Sequence, residues 1–239
     1  MRRFYAPVEN FHGQDVTLSE DETRHLRDVL RLPIGEEVSV FNGAGHEFKC
    51  VIRTIEKKSS TLSLVEEVNP ASPESNLELT IAASVLPGDK YDLVIQKAVE
   101  LGVVEFNPLV TTRCEVKLKD AAKRLNRWRR IAFEASKQCG RAKLMIVSEP
   151  VEFGELVSKK ASENYLLFSE RQGKSFDTVI ASKKITAVFG PKGGWDDHEL
   201  EAAHGKGIKV VTLGGRVLRA ETAAIAISAI LQHRFGDFN

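Results

Sequence analysis

Short apolar segments alternate with longer amphipathic ones from residue 79 to the end of the chain, and this alternation constrains the possible folds more than any other feature. The patterns predict strands at 79–85, 104–110, 165–168, 185–189 and 210–213, and helices at 91–101, 121–139, 153–160, from 196 onward and at 221–235. Strands that alternate with helices favour parallel pairing, with helices covering both faces of the sheet. We therefore expect an α/β domain with a mostly parallel sheet.

The first seventy or so residues predict a separate, mostly β domain. Ser19 opens a capping box before a short helix. That helix is expected to turn four side chains inward: His25, Leu26, Val29 and Leu30. Runs rich in β-branched residues follow at 38–41, 47–55 and 61–68, separated by turn sequences, as is typical of a small barrel. Two prolines among small polar residues mark 69–75 as a linker, so we expect domains at 1–72 and 73–239.

Composition narrows the class of protein. Hydrophobic residues make up 42% and charged residues 28% of the chain, which is ordinary for a globular protein with a real core. No stretch approaches the roughly 20 apolar residues of a membrane-spanning helix. The N-terminus lacks the apolar region of a secretory signal, so we expect a cytoplasmic protein without membrane contact.

Cysteine and histidine spacing gives no metal site. The three cysteines are far apart, at 50, 114 and 139, and form no Cys-x-x-Cys pair. The six histidines also lack the spacing of metal ligands. We expect no bound metal.

Positive charge is concentrated although the formal net charge is only +1. Between Lys117 and Lys143 there are ten Lys or Arg residues and two acidic ones. A second basic group consists of Arg2, Arg3, Arg24, Arg27 and Arg31. Clustered cations favour a polyanion such as nucleic acid. On charge alone, a solvated helix face explains the pattern equally well.

Two glycine-rich segments, 189–195 and 212–223, each follow a predicted strand and precede a helix. Ligands of open α/β folds bind at the carboxyl ends of strands, so two such loops predict one small-molecule pocket. The alternative is that these glycines only make tight turns. Neither loop matches the phosphate-binding P-loop, the complete dinucleotide fingerprint or the hydrolase nucleophile elbow, which leaves the ligand class open.

Sequence motifs from all parts of the chain resemble one family. The loop at 190–195 (Gly-Pro-Lys-Gly-Gly-Trp) resembles the Gly-Pro-Glu-Gly-Gly-Phe loop of RsmE-type small-subunit ribosomal RNA methyltransferases, which belong to the SPOUT superfamily. The segment 213–223 resembles the family's Leu-Gly-x-Arg-Ile-Leu-Arg-x-Glu-Thr-Ala loop. Further similar segments lie at 25–32, 96–103 and 134–141.

This resemblance implies a PUA-like N-terminal domain that holds RNA and a C-terminal α/β domain with a trefoil knot, against the general rarity of knots. It implies a homodimer that binds S-adenosylmethionine and methylates N3 of a uridine in the decoding region of 16S ribosomal RNA, free or in the small subunit. The base that removes the N3 proton is either a side chain or water.

The glycine-rich loops, the basic clusters and the resemblance together suggest roles for named residues. Arg219 and Glu221 are the expected catalytic residues; Arg216 and Arg219 would face RNA phosphate or the charge developing on the uracil oxygens, and Glu221 would orient them or begin the last helix. Cofactor binding is expected from Leu167, Phe168, Gly190, Pro191, Gly193, Gly194, Leu213, Gly214, Arg216, Val217, Leu218, Thr222 and Ala223. RNA binding is expected from Arg2, Arg3, Arg24, Arg27, Arg31, Lys97, Arg113, Arg127, Arg130 and Arg141. For Lys97, Arg113 and Arg141 the alternative is an intramolecular ion pair, and Trp128 is expected in the core.

The chain departs from the family pattern at two positions. Lys192 replaces the usual glutamate of the first loop, and Thr112 replaces an acid. If the family's glutamate orients a ligand, the reversed charge at 192 impairs activity, whereas a purely structural role leaves binding by the backbone intact. Two rival functions therefore stand: an RNA-binding ribosome-assembly factor without catalysis, and a methyltransferase with another RNA substrate.

Overall fold

The computed structural model describes residues 2–158 and 164–238, and these form two compact units. The first unit extends to Glu74 and also contains Ser136–Leu144. The second contains Ser75–Ala135 and continues from Met145. The expected boundary at 72/73 lies close to the first of these changes, but the sequence did not predict the return of Ser136–Leu144 to the first unit.

The first unit is a six-stranded mixed sheet with one short helix. Its strands are β1 (Arg2–Tyr5), β2 (Phe11–His12), β3 (Asp15–Leu18), β4 (Glu37–Phe41), β5 (Glu47–Ile55) and β6 (Ser60–Val68). They lie in the order β1-β4-β5-β6-β3-β2. Only β1 and β4 pair in parallel, and the other neighbours are antiparallel. This confirms the expected mostly β domain.

The short helix of this unit begins where its capping residue predicts. Helix α1 (Glu20–Arg24) follows Ser19, whose hydroxyl accepts the Glu22 amide hydrogen, and it continues as a wider π-helical turn over His25–Val29. The widened turn keeps Leu26 fully buried but leaves Val29 66% exposed, so the predicted inward position of Val29 is wrong.

Buried ion pairs hold the returning segment against the first sheet. The Arg3 guanidinium donates to the carbonyl oxygens of Ser136 and Arg141 and pairs with Glu47 at 3.1 Å. Lys137 pairs with the buried Glu22 at 2.5 Å. Arg141, with only 3% of its side chain exposed, donates to Glu74 at 2.7 Å. These cations are structural groups of the first unit.

The second unit alternates strands and helices as predicted. Its strands are β7 (Glu78–Ser84), β8 (Glu105–Val110), β9 (Ile146–Val147), β10 (Val151–Glu152), β11 (Tyr165–Phe168), β12 (Lys174–Ser175), β13 (Lys184–Phe189) and β14 (Lys209–Thr212). Its helices are α2 (Lys90–Glu100), α3 (Leu118–Ala122), α4 (Leu125–Cys139), α5 (Phe153–Ser158), α6 (Asp197–Gly205) and α7 (Ala220–Phe235). The end of α4, from Ser136 onward, belongs to the first unit. Short 3-10 turns occur at Val8–Asn10 in the first unit and Phe176–Thr178 in this one.

All described pairs of the second sheet are parallel. The order is β10-β8-β7-β13-β11-β14-β12, with β9 beside β8. The central strands carry continuous apolar residues such as Leu167, Val188 and Val210, which are buried because helices cover the sheet. Parallel pairing brings the carboxyl ends of β11, β13 and β14 to one edge.

Two predicted helices differ in extent. The predicted helix at 121–139 is broken between α3 and α4, at Lys123 and Arg124. Trp128 of α4 is 1% exposed and packs edge-on against Tyr91 at 4.9 Å between ring centroids, which confirms its place in the core. The predicted helix at 153–160 corresponds to α5, and its last two residues lie outside the described residues.

Replacing Arg141 with alanine should destabilise the protein by about 3 kcal/mol, because it leaves the Glu74 carboxylate without its buried partner. Urea unfolding followed by circular dichroism, which reports on both units, measures the change. Arg130→Ala is the control, since Arg130 is exposed and surface substitutions change stability by about 0.5 kcal/mol or less. Equal unfolding midpoints for the two variants would show that the Arg141 pair contributes nothing.

Candidate active site

A cavity of about 650 Å³ opens at the carboxyl edge of the parallel sheet. Its lining comes from the segments that follow β11, β13 and β14, together with the first residues of α2 and α7. Both glycine-rich segments thus meet at one cavity, as predicted. Its volume lies in the range of about 300–1,000 Å³ that is usual for small-molecule sites.

The first loop follows β13 and packs tightly on the core. The Trp195 indole N–H donates to the Phe168 carbonyl at 2.8 Å, and the ring is 1% exposed. A Cβ atom on Gly190 would lie 2.9 Å from that ring. Gly194 has a φ of +72° and closes a turn by donating to the Pro191 carbonyl at 3.0 Å. Position 190 thus requires glycine because a larger residue has no space, and position 194 requires it because of its backbone conformation.

The second loop follows β14 and is exposed throughout 213–219. Gly214 and Gly215 have φ values of +71° and +74°, and the Thr212 hydroxyl accepts the Gly214 amide hydrogen at 3.1 Å. Beyond the glycines, Val217 is 77% exposed, an unusual position for an apolar side chain. The loop therefore presents backbone amides and apolar side chains to the cavity and its mouth.

Lys90 and Glu221 form an ion pair in the cavity wall. Their Nζ and Oε1 atoms are 2.9 Å apart. Burial by itself would raise the pKa of the Glu221 carboxyl, but hydrogen bonds from Lys90 and from backbone, with the charges of Lys90 and Arg219, hold that pKa below its usual value. Glu221 therefore stays ionised at neutral pH. Its partner is Lys90, a residue that the sequence analysis did not single out.

Lys192 and Thr112, the two residues that depart from the family pattern, do not occupy the space of the cavity. The Lys192 side chain is 73% exposed, and its Nζ lies 4.0 Å from a Glu115 carboxylate oxygen. Thr112 donates its backbone amide to Glu199 at 2.8 Å, a contact that any side chain at 112 allows. Neither substitution removes the glycine turns or the space between them.

Most of the residues expected to bind a cofactor meet at this cavity. Those that line it are Phe168, Gly190, Pro191, Gly193, Gly194, Leu213, Gly214, Arg216, Val217, Leu218 and Ala223, and the expected catalytic Arg219 and Glu221 lie with them. Two others do not line it: the Leu167 side chain is fully buried in the core, and Thr222 is exposed on α7. The cavity also takes in Ser169 and Glu170, which directly follow β11, and Lys90, the first residue of α2.

The expected RNA-binding cations of the first unit are used in different ways. Arg3 and Arg141 are corrected to structural roles, because both are buried in the ion pairs described above. Arg24 pairs with its neighbour Asp21, and Arg27 pairs with Asp28 and donates to two carbonyls. Arg2 and Arg31 are exposed and have no ion pair within the described residues.

In the second unit, three of the expected RNA-binding cations have acidic partners. Lys97 pairs with Glu100 at 2.8 Å, which was the alternative considered for it. The other two pairs are Arg113 with Asp196 at 3.2 Å and Arg127 with Asp92 at 2.5 Å. Arg130 is exposed on α4 without an ion pair in the part of the chain that the structure describes.

Within 2–158 and 164–238, no helix is both long and apolar enough to cross a bilayer. The same residues contain no group of three or more histidine, cysteine or acidic side chains arranged to hold a metal ion.

Comparison with known proteins matches both units. The family model described as "RNA methyltransferase domain" matches residues 73–232, and "RNA methyltransferase PUA domain" matches 18–65. Ribosomal RNA small subunit methyltransferase E of Aquifex aeolicus is 32% identical over 98% of this chain and 100% of its own length. The corresponding crystal structure from Neisseria gonorrhoeae, bound to S-adenosyl methionine, is 36% identical with a TM-score of 0.89 over 100% of both chains. A Legionella pneumophila methyltransferase with bound cofactor has 33% identity and a TM-score of 0.87 over 98% of both chains.

Gly190→Ala should destabilise the protein by about 1–3 kcal/mol, because the new methyl group would overlap the buried Trp195 ring. Urea unfolding measures the loss. Gly205→Ala is the matched control: its Cβ would meet nothing within 4 Å at the end of α6, so stability should not fall. Equal stability of the two variants would contradict the packing described for the first loop.

Proposed function

The chain belongs to the ribosomal RNA small subunit methyltransferase E family, and from that premise we propose that it transfers a methyl group from S-adenosylmethionine to N3 of a uridine in the decoding region of 16S ribosomal RNA. The observation that carries the proposal is the meeting of both family loops at one cavity of about 650 Å³. Likeness over the full chain to ribosomal RNA small subunit methyltransferases, one of them bound to S-adenosyl methionine, supports it.

The residues of the cavity fit S-adenosylmethionine. Gly193, Gly194 and Gly214 let the backbone approach a ligand closely without side chains in the way. Leu213 and Leu218 offer apolar surface, and the Glu170 carboxylate offers a counter-charge to a cationic ligand. When bound, this cofactor supplies an electrophilic methyl group on a sulfonium. We assign it to these turns; Leu167 and Thr222 would contribute through the backbone or through packing.

The chain's own contribution to the reaction is alignment and charge. Uridine N3 carries a proton on the Watson–Crick edge, so the base must be unpaired before it can react. Its proton must leave, and negative charge then appears on the ring. Arg216 and Arg219 line the cavity and are placed to stabilise that charge or an adjacent phosphate. Glu221 is held by Lys90 at the start of α7.

We assign RNA binding to the first unit and to exposed cations of α3 and α4. Lys119 and Arg130 are exposed there without an ion pair among the described residues. The first unit adds Arg2 and Arg31, which are also exposed. The partner is small-subunit ribosomal RNA, free or assembled, in the cytoplasm.

We further propose that the chain is a homodimer with a trefoil knot between residues 73 and 239. The apolar residues exposed on the second loop and on two helices fit a second copy better than water: Leu93, Leu213, Val217, Leu218 and Ile230. Sedimentation equilibrium tests the dimer, and a mass of one chain would contradict it.

Arg219→Ala should reduce methyl transfer at least 100-fold, the usual effect of removing one charge-stabilising donor, while the heat of S-adenosylmethionine binding persists.

The substrate is identified by mass mapping of ribosomal RNA from cells lacking the protein, where N3-methyluridine should be missing from the decoding region. A missing mark elsewhere would favour another RNA substrate. Absence of any heat with the wild-type chain would favour the assembly factor without catalysis.

Replacing Lys117, Lys119 and Arg130 by serine should flatten the salt dependence of RNA binding by about 2 in the log–log slope, at roughly 0.7–0.9 for each lost phosphate contact. Affinity measured between 50 and 200 mM salt gives that slope. The control is Lys183→Ser with Lys184→Ser and Lys206→Ser, which removes three exposed lysines beside the opposite ends of β13 and β14. Identical slopes for the two triple variants would remove α3 and α4 from the RNA interface.

A further inference from the structure

Lys90 is the first residue of α2, in the turn that follows β7, and it lines the cavity. Its side chain is 45% exposed, and its Nζ lies 2.9 Å from Oε1 of Glu221, which is 16% exposed. The ammonium group is therefore anchored on one side and open on the other. The anchor is a carboxylate of a different helix, since Glu221 lies in the first turn of α7.

Helix stability does not explain this arrangement. A cation at a helix N-terminus opposes the macrodipole and costs about 0.3–1 kcal/mol, so Lys90 occupies the less favourable end of α2. Helix α7 begins with Arg219 at its N-cap, where no side chain accepts a hydrogen bond from the first turn. Local rules broken twice at one cavity are typical of functional sites.

The other charged groups of the cavity have different neighbours. Glu170 lies against Gly194 and 3.7 Å from Arg171, and Lys192 lies 4.0 Å from Glu115. Arg216 and Arg219 belong to the exposed second loop. No histidine or cysteine is among the described residues that line the cavity. Among the described cations of this cavity that have an ion pair, Lys90 has the shorter one, at 2.9 Å against 4.0 Å for Lys192.

The identity of the neighbour decides what Lys90 can contact. With Glu221 at 2.9 Å, the pair carries no net charge, so it attracts a phosphate or a carboxylate far less than an unpaired lysine would. A neutral nucleobase does not depend on such attraction, and it gains charge only as it reacts. A donor aimed at charge that appears during the reaction accelerates it without binding the ground state more tightly.

We propose that Lys90 is a catalytic residue that donates a hydrogen bond to a carbonyl oxygen of the target uracil, and that Glu221 is the positioning residue that holds it there. This inference rests on the proposed function. In the step concerned, the N3–H bond breaks and the proton passes to water. The electron pair stays on the ring, spread over N3 and the two carbonyl oxygens, where the ammonium stabilises it. The ring nitrogen is then the nucleophile.

The test is the acidity of the bound base in Lys90→Met. A decoding-region RNA carrying 5-fluorouridine at the target position is bound to the protein with S-adenosylhomocysteine, and its fluorine resonance is followed against pH. In the wild type the bound base should ionise about tenfold more readily than in Lys90→Met, which corresponds to a one-unit difference in pKa. The pH–rate profile of methyl transfer should be displaced by the same amount, toward higher pH in Lys90→Met.

Three further variants complete the design. Lys90→Arg keeps the charge and should restore most of the acidity, and Glu221→Gln should lose part of it because the lysine is no longer held. Lys184→Met is the matched control, since Lys184 pairs with Glu78 at 2.7 Å at the start of β13 and should change nothing. Thermal unfolding of each variant confirms that it is folded.

Each alternative outcome is distinct. Equal acidity in wild type and Lys90→Met overturns the inference, as does loss of S-adenosylmethionine binding by Lys90→Met in calorimetry, which would place Lys90 on the cofactor. Lys90→Met could also weaken binding equally for RNA with an intact target nucleotide and for RNA with an abasic one. That result overturns the inference too, since Lys90 would then contact phosphate. Absence of methyl transfer by the wild type on small ribosomal subunits would instead contradict the proposed function.

Discussion

Parallel pairing of β13, β11 and β14 is the constraint on which the site depends. Phe168 is in register with both Phe189 and Val211, so the three strands end side by side. Because each strand ends at the same edge, the turns that follow them have no alternative but to meet. The glycine turns, the cavity and the charged residues in its wall are consequences of that register. A slip of one residue would exchange buried and exposed side chains along a strand.

The charged residues of the protein differ in the contacts that their side chains make. Arg3 and Arg141 are buried and fully engaged, and their task is to keep Ser136–Leu144 in the first unit. Lys90 is engaged on one side and open on the other. Arg130 is open to solvent. The ten basic residues between 117 and 143 are therefore not one surface but several groups with different roles, and only contacts distinguish them.

Local patterns predicted the elements that are long or strongly apolar. The strand predicted at 47–55 coincides with β5, and the strand at 165–168 coincides with β11. Strands of two residues, such as β9 and β12, lack enough residues for a periodic signal and were missed. The break between α3 and α4 was missed as well, because Lys123 and Arg124 are both good helix formers.

The site was predictable where family motifs mark it and unpredictable where long-range contacts decide. Gly190 and Gly214 line the cavity and belong to loops that the sequence motifs alone identify. Arg141 finds Glu74 across 67 positions, and no local pattern reveals such a pair. Lys90 could have been suspected, since it lies between the predicted strand at 79–85 and the predicted helix at 91–101, as each glycine-rich segment lies between a strand and a helix. The pairing of Lys90 with Glu221 could not have been suspected, because only the fold brings α2 and α7 to one cavity.

A crystal of the protein soaked with S-adenosylmethionine shows directly where the cofactor binds. Electron density for the cofactor is expected between the turn at 190–194 and the turn at 213–219, with its methyl group open toward the Lys90 and Glu221 pair. A cavity without such density at saturating cofactor, or a cofactor bound elsewhere on the chain, would contradict this placement of the cofactor.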